Sequence, residues 1–222
     1  MPDRETNRPA LPPGIYGITA EKFSCGRTNV EVAKAMIAGG VAVLQYREKA
    51  AAKSRAAMLA ECRKIRELTR KAGIPFIVND HVDLAMLVDA DGVHVGQNDL
   101  PVPEVRRLVG PGMIIGLSTH SPAQAEAAVA VGADYIGVGP IFATATKEDV
   151  CGPVGLGYLD HVVGNCPLPF VAIGGIKEHN LGEVASRGAR SVCMVTEIVG
   201  AADIAATVRR LRAILADPAG NR

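Results

Sequence analysis

Residues 114–142 read IIGLSTHSPAQAEAAVAVGADYIGVGPIF and contain one complete strand–helix–strand unit. The apolar run from Ile114 to His120 is typical of a buried strand. Ser121-Pro122 then predicts a helix N-cap followed by proline at the first helical position. Gly132 marks the end of that helix, and Tyr135 to Phe142 forms the next strand. The stretch therefore predicts two parallel strands joined by a helix.

The same alternation of strand and helix continues from Gly14 to the end of the chain. The helical stretches carry apolar stripes at i, i+3 or i+4 spacing, for example within residues 58–69 and 204–215. Gly39, Gly73 and Gly188 are predicted to end further helices. Eight strands are predicted in all: Ile15 to Ala20, Val41 to Glu48, Pro75 to Asp80, Gly92 to Gln97, Ile114 to His120, Tyr135 to Phe142, Phe170 to Gly175 and Ser191 to Thr196.

Eight such units of about 25 to 28 residues predict an α/β fold with a single (β/α)8 TIM barrel. The alternative is an open doubly wound sheet, which concentrates its ligand contacts near one switch point. The barrel is favoured because glycine and polar residues follow almost every strand. The barrel domain is predicted to span residues 15–216, with a flexible leader over 1–14 and a C-terminal tail over 217–222.

The composition of the 222 residues narrows the classes of partner. Lys and Arg number 24 against 23 Asp and Glu, and only 4% of residues are aromatic, so no nucleic-acid partner is predicted. The sequence has no apolar run of about 18 residues, so no membrane association is predicted. Five cysteines without CxxC spacing favour a reducing, cytoplasmic location. Small phosphorylated substrates fit this composition, and a homo-oligomer is left open.

Charged residues lie at the end of the second predicted strand. The period of two places Gln45, Arg47 and Lys49 on one side of the chain, with Tyr46 and Glu48 on the other. If the first side faces the barrel mouth, two cations and an amide form a receptor for an anion such as phosphate. The alternative for this segment is a solvated, charged strand end.

Two carboxylates follow the next two strands. Asp80 comes after Val78-Asn79, and Asp99 follows the strand that ends at Gln97. Hard oxygen ligands suit Mg²⁺, which takes one or two protein carboxylates and completes its shell with water and substrate phosphates. For each aspartate taken alone, a helix N-cap is the competing interpretation.

Two later segments carry further polar groups. Ser118 places a hydroxyl at the end of strand five, and Thr144-Ala145-Thr146-Lys147 brings two hydroxyls and a cation into a loop after strand six. Gly174-Gly175 and Val195-Thr196 follow strands seven and eight, where barrels often bind a phosphate. A second anion site is therefore predicted.

The ordered set of motifs resembles the thiamine-phosphate synthase family from about residue 15 to 215. Each motif is weak alone, but the ordered set is specific to this family. The motifs are Gln45-Tyr46-Arg47-Glu48-Lys49, Val78-Asn79-Asp80, Gly92-Val93-His94-Val95-Gly96-Gln97 with Asp99, Gly116-Leu117-Ser118-Thr119-His120, Gly139-Pro140-Ile141-Phe142 with Thr144-Ala145-Thr146-Lys147, and Ile173-Gly174-Gly175-Ile176.

The resemblance implies a TIM-barrel transferase that condenses 4-amino-2-methyl-5-(diphosphooxymethyl)pyrimidine with 4-methyl-5-(2-phosphoethyl)thiazole and releases pyrophosphate. It assigns the metal Mg²⁺ to Asp80 and Asp99, and catalytic roles to Arg47, Lys49, Ser118 and Lys147. The pyrimidine pyrophosphate is assigned to Gln45, Tyr46, Arg47, Glu48, Lys49, Asn79, Ser118 and Lys147. The thiazole phosphate is assigned to Thr144, Ala145, Thr146, Gly175, Val195 and Thr196. Thr196 stands where serine is usual, which keeps the hydroxyl.

The resemblance also implies a dissociative reaction: pyrophosphate leaves first, and the thiazole nitrogen captures the pyrimidine cation, so no protein nucleophile is required. Two alternatives use the same fold. A thiazole tautomerase would rely on acid/base groups such as His120 and would not need the aspartates. A noncatalytic phosphate sensor would be expected to have lost part of the charged set, whereas Arg47, Lys49, Asp80, Asp99 and Lys147 are all present.

Overall fold

A computed structural model describes residues 11–49, 53–144 and 152–218. Eight parallel strands form a closed barrel in sequence order, and the first strand pairs with the last through Gly14 with Ser191 and Ile15 with Val192. The strands are β1 Gly14–Ile18, β2 Val43–Tyr46, β3 Phe76–Asn79, β4 Gly92–Val95, β5 Ile114–Thr119, β6 Tyr135–Val138, β7 Phe170–Ile173 and β8 Ser191–Cys193. The predicted fold class is confirmed.

Helices follow the strands and form the outer layer. In the described part of the chain they are α1 Asn29–Gly39, α2 Arg55–Ala72, α3 Val82–Leu87, α4 Val102–Val109, α5 Pro122–Ala130, α6 Gly155–Asn165, α7 Glu178–Ser186, α8 Val195–Val199 and α9 Ile204–Ala216, with a 3-10 turn at Glu21–Phe23. Ser121 caps α5 as predicted, because its side chain accepts from the backbone N–H of Gln124. None of these helices is both long and apolar enough to cross a membrane.

The core has two layers. Buried aliphatic residues between the strands and the helices form the larger layer. A second cluster fills the barrel interior and consists of Tyr16, Ile18, Val43, Ile77, Ile114, Tyr135, Val171 and Cys193. Alternation along each strand therefore identifies the inward positions. In β2, Val43 points inward, and so does Gln45 two residues later.

The first helix ends at Gly39, as predicted, and the next residue, Gly40, caps it with a left-handed φ of 88°. Gly39 also serves close packing: a Cβ there would lie 2.6 Å from the Cβ of Val208 in α9. The glycine lets α1 and α9 approach closely.

We expect Gly39→Ala to lower the free energy of unfolding by about 1 to 3 kcal/mol, because the added methyl overpacks the contact between α1 and α9. Gly164→Ala in α6 is the matched control, since a Cβ there meets no described atom within 4 Å. That change should be neutral or stabilising by up to about 1 kcal/mol. Urea unfolding measures both, and equal midpoints would contradict the packing role of Gly39.

Candidate active site

The carboxyl ends of β2 to β5 bring polar side chains to one mouth of the barrel. Gln45, Asn79, His94 and Ser118 occupy inward positions in these four strands, above the apolar interior cluster. The pairing register places Asn79 beside His94. Each lies two residues beyond another inward position of its strand, which explains why all four point to the inside of the barrel.

Two predicted cations lie at this mouth. The ammonium Nζ of Lys49 lies 2.5 Å from Oδ2 of Asp80. Arg47 is half-buried, and its backbone N–H donates to Oγ1 of Thr19 at 3.0 Å. Burial raises the pKa of the Cys193 thiol and the charge of Arg47 opposes that rise, so the guanidinium acts on the barrel interior.

The two predicted metal ligands are not helix caps. The side chain of Asp80 pairs with Lys49, its φ is 60°, and its backbone N–H donates to the carbonyl oxygen of His94 at 2.8 Å. Asp99 is exposed, and its Oδ2 accepts from the backbone N–H of Gly96 at 2.7 Å. Helices α3 and α4 begin after His81 and Pro101, without a side-chain cap. The N-cap interpretation of these aspartates is therefore wrong.

The donor set at this mouth fits Mg²⁺ in type and number. Asp80 and Asp99 follow the neighbouring strands β3 and β4, and each carries hard carboxylate oxygens. A cation site of this kind leaves most of the coordination shell to water and phosphate oxygens. Lys49, which pairs with Asp80, suits a phosphorylated ligand.

Tyr46 and Glu48 lie on the opposite face of the same segment, as the period of two predicted. The hydroxyl of Tyr46 donates to Oε2 of Glu61 at 2.7 Å. Glu48 accepts from Nδ2 of Asn29 at 2.9 Å and pairs with Lys53 at 3.0 Å. The side chains of Tyr46 and Glu48 thus contact the outer helices and do not join the polar group at the mouth.

A chain of hydrogen bonds crosses the buried floor beneath the mouth. Gln45 Nε2 donates to the Tyr16 hydroxyl at 3.0 Å, and the hydroxyls of Tyr16 and Tyr135 lie 2.8 Å apart. His94 continues the chain, with Nδ1 2.9 Å from the Tyr135 hydroxyl and Nε2 3.0 Å from Oγ of Ser118. Burial raises the pKa of both tyrosines, so they remain neutral donors and acceptors.

Gly116 makes room for this chain. A Cβ at Gly116 would lie 2.2 Å from Cζ of Tyr135 and 2.4 Å from Nδ1 of His94. The rings of His94 and Tyr135 are 5.4 Å apart between centroids. Glycine at this inward position of β5 is therefore required for the two rings to meet.

The predicted second anion site lies beyond β6, β7 and β8. The backbone N–H of Phe142 donates to the carbonyl oxygen of Gly174 at 2.9 Å. A Cβ at Gly175 would lie 2.6 Å from the carbonyl oxygen of Ala143, so the segment that precedes Thr144 packs directly on this glycine. Ala145, Thr146 and Lys147 lie outside the described residues.

Val195 and Thr196 begin α8 on the other side of this region. Nζ of Lys177 donates to Oγ1 of Thr196 at 2.9 Å and lies 3.1 Å from Oε2 of Glu197. An ammonium only donates, so the Thr196 hydroxyl accepts from Lys177 and retains its own hydrogen for another acceptor. The structure thus adds a cation that the sequence analysis missed.

Comparison with known proteins assigns the chain to a family. The model of the family described as thiamine monophosphate synthase matches residues 15–198, which span β1 to α8. The chain belongs to this family. The resemblance inferred from the motifs, and the enzyme class that it implies, are confirmed.

Individual members of the family agree over nearly the whole length. A thiamine-phosphate synthase of Pelotomaculum thermopropionicum is 67% identical over 201 residues, covering 90% of this chain and 91% of that protein. One from Lawsonia intracellularis is 52% identical over 203 residues, covering 91% and 93%. The solved thiamine phosphate pyrophosphorylase of Pyrococcus furiosus superposes with a TM-score of 0.84 at 33% identity, covering 93% of this chain and 97% of that one.

Sequence reasoning missed Tyr16, His94 and Tyr135 as parts of the site. The sequence does carry a signal: once the strands are paired, Tyr16, His94 and Tyr135 lie at alternate positions that point inward, as Gln45 and Ser118 do.

The other two histidines that the sequence singled out, His120 and His81, bond to a backbone carbonyl and to an arginine. Nδ1 of His120 lies 2.5 Å from the carbonyl oxygen of Gly139. Nδ1 of His81 accepts from Arg55 at 2.6 Å, and burial, with the charge of Arg55, lowers the pKa of His81.

Proposed function

We propose that this family member joins the aminopyrimidine diphosphate to the thiazole phosphate, giving thiamine phosphate and pyrophosphate by a dissociative route. The observation that carries this proposal is the pairing of Lys49 with Asp80 beside Arg47, because it places cations and a metal-type carboxylate at one mouth. The unbridged thiols of Cys25, Cys62, Cys166 and Cys193 support the reducing cytoplasm as its location.

The residues at the mouth hold the diphosphate and stabilise its departure. Arg47 grips phosphate oxygens with its planar fork, and Lys49 supplies a point charge. Lys147 is proposed to contact the same group on the basis of the sequence motif. Asp80 and Asp99 would hold Mg²⁺, which supplies Lewis-acid stabilisation of the leaving group when bound. Charge that develops as the C–O bond breaks is thereby neutralised.

The buried floor is proposed to hold the pyrimidine ring. Gln45, Asn79 and Ser118 offer amide and hydroxyl groups to the ring nitrogens and the amino group of the substrate. The chain through Tyr16, Tyr135 and His94 fixes the orientation of Gln45 at one end and Ser118 at the other. The electron-rich aminopyrimidine carries the positive charge after pyrophosphate leaves, so the floor needs only neutral groups.

The second anion site is proposed to hold the thiazole phosphate. Thr144, Thr146, Gly175, Val195 and Thr196 would contact it, as would the segment at Ala145. Two anion sites on one mouth align the thiazole nitrogen with the cation that it captures, which lowers the entropic part of the barrier.

The direct test mixes both phosphorylated substrates with the protein and Mg²⁺ and measures thiamine phosphate and pyrophosphate. We expect the two products in equal amounts. A control incubation receives the thiazole substrate alone. Isomerisation of the thiazole without condensation would contradict the proposed reaction.

The contact between Lys177 and Thr196 leads to a prediction for the thiazole phosphate. We expect Thr196→Val to raise the KM for this substrate about 10-fold, because one hydrogen bond to a charged group is lost. Thr196→Ser keeps the hydroxyl and should behave like the parent chain. The KM for the pyrimidine diphosphate should not change in either variant. An equal rise in both KM values would contradict the assignment.

A further inference from the structure

A buried polar cluster lies outside the barrel wall, directly behind the mouth. We call it the rear cluster; its side chains are Glu21, Asn29, Tyr46, Glu48, Lys53 and Glu61. Nζ of Lys53 lies 2.5 Å from Glu21, 2.8 Å from Glu61 and 3.0 Å from Glu48. Asn29 Nδ2 donates to Glu48 at 2.9 Å and to Glu61 at 3.1 Å. One ammonium thus holds three carboxylates together.

Most of the cluster is shielded from water, although the side chain of Glu21 is 34% exposed. The side chain of Glu48 is 4% exposed and that of Lys53 is 15% exposed. Burial lowers the pKa of Lys53, but its hydrogen bonds to the three glutamates raise the pKa more, so the ammonium stays charged. Apolar residues of similar volume often stabilise a fold as well as buried ions do. Stability alone is therefore a weak reason for this cluster, and its ordered geometry points to a role in placement.

The rear cluster is connected to the mouth through Glu48. One carboxylate oxygen of Glu48, Oε2, contacts Lys53 and Asn29. The other, Oε1, accepts from the backbone N–H of Lys49 at 2.9 Å. The side chain of Lys49 in turn reaches Asp80 at the mouth. A continuous path therefore runs from Lys53 through Glu48 to the backbone of Lys49.

We propose that Lys53 is a positioning residue that orients Glu48, and through it the backbone from which Lys49 reaches the diphosphate. The inference rests on the proposed function of Lys49. Without Lys53, three carboxylates would repel one another and Glu48 would leave its contact with the backbone of Lys49. A small displacement of a charge that stabilises the leaving group is costly for rate.

The experiment is a double-mutant cycle of Lys53→Met with Lys49→Met, read by single-turnover release of pyrophosphate with both substrates saturating. We expect Lys53→Met alone to slow release roughly 10-fold. When Lys53→Met is added to Lys49→Met, release should slow by less than about 2-fold further, because the effects of two residues that act through one another are not additive. Lys53→Arg should restore most of the rate. The KM for the thiazole phosphate should stay unchanged.

Arg66→Met is the matched control for loss of a buried ion. Arg66 is 12% exposed and pairs with Asp91 at 2.6 Å, beside the start of β4 and far along the strands from the mouth. This variant should melt at a lower temperature but release pyrophosphate at the parent rate. If Lys53→Met behaves in the same way, or if its effect multiplies fully with that of Lys49→Met, the positioning role is wrong.

A second variant covers the case in which Lys53→Met does not fold. Glu48→Gln weakens the contact with Lys53 at nearly constant volume, and in the same cycle it should slow release only when Lys49 is present. The single variant Lys49→Met tests the proposed function separately. If that single variant releases pyrophosphate at the parent rate, the diphosphate role of Lys49 falls, and the role of Lys53 falls with it. If it is slow and Lys53→Met is not, only the inference about Lys53 fails.

Discussion

Replacing Asp80 or Asp99 by asparagine is expected to lower kcat by at least about 100-fold. The reason is electrostatic: each change removes a charge that is proposed to hold Mg²⁺ beside the leaving pyrophosphate, and a preorganised contact of this kind is worth a few kcal/mol. Asparagine is chosen because it tolerates the left-handed backbone of Asp80, whose φ is 60°. Steady-state kinetics at saturating substrate measure the loss. EDTA should abolish the activity of the parent chain, and added Mg²⁺ should restore it.

Asp89→Asn is the matched control for these two variants. Asp89 also has a positive φ, 49°, but its side chain is 85% exposed and its partner is Arg70. This variant should retain the parent rate. Full activity of the Asp80→Asn, Asp99→Asn double variant in the presence of EDTA would remove the metal from the proposed site.

The positions of the strands could be predicted from the sequence, but their carboxyl ends could not. Predicted strand six runs to Phe142, whereas β6 ends at Val138. Ile141 is buried and apolar, so the run looks like a strand, yet its backbone N–H donates to the carbonyl oxygen of Ile173 at 3.0 Å. The chain after β6 therefore packs on the end of β7. A one-dimensional pattern cannot separate an apolar loop that lines a site from a longer strand.

The charged residues of the candidate site could be predicted because alternate residues after β2 point to opposite sides of the chain. Which of these residues contact one another could not be predicted. Lys49 and Asp80 are 31 positions apart in the sequence, and their contact joins the ends of two strands. The chain from Gln45 to Ser118 depends on the register of the strands around the barrel and on the space left by Gly116. The contact of Lys177 with Thr196 depends on the N-terminal ends of α7 and α8 meeting in the fold. Sequence supplies these groups, and the closed barrel brings them together.

Arg47→Met is expected to lower kcat/KM for the pyrimidine diphosphate by about 100- to 1000-fold. The Arg47 residue is half-buried, so the charge of its guanidinium is screened less than that of a solvent-exposed cation. Its backbone is held by Thr19 on both sides, because Thr19 Oγ1 accepts from the N–H of Arg47 and donates to its carbonyl oxygen. The backbone of Arg47 is therefore fixed before the substrate arrives, and the proposed contacts of its guanidinium would strengthen as charge develops on the leaving group.

Arg47→Lys should recover only part of the loss, since an ammonium cannot hold two phosphate oxygens in a fixed plane. The KM for the thiazole phosphate should remain at the parent value, because that substrate is proposed to bind at Gly175, Val195 and Thr196. Arg187→Met is the control, as Arg187 pairs with Asp160 on the outer helices.

Single-turnover release of pyrophosphate distinguishes the two roles open to Arg47. Slow release at saturating substrate means that the guanidinium stabilises bond breaking, whereas a normal rate with a raised KM means that it only binds the ground state. A parent rate and a parent KM together would exclude Arg47 from the site and leave Lys49 as the cation beside Asp80.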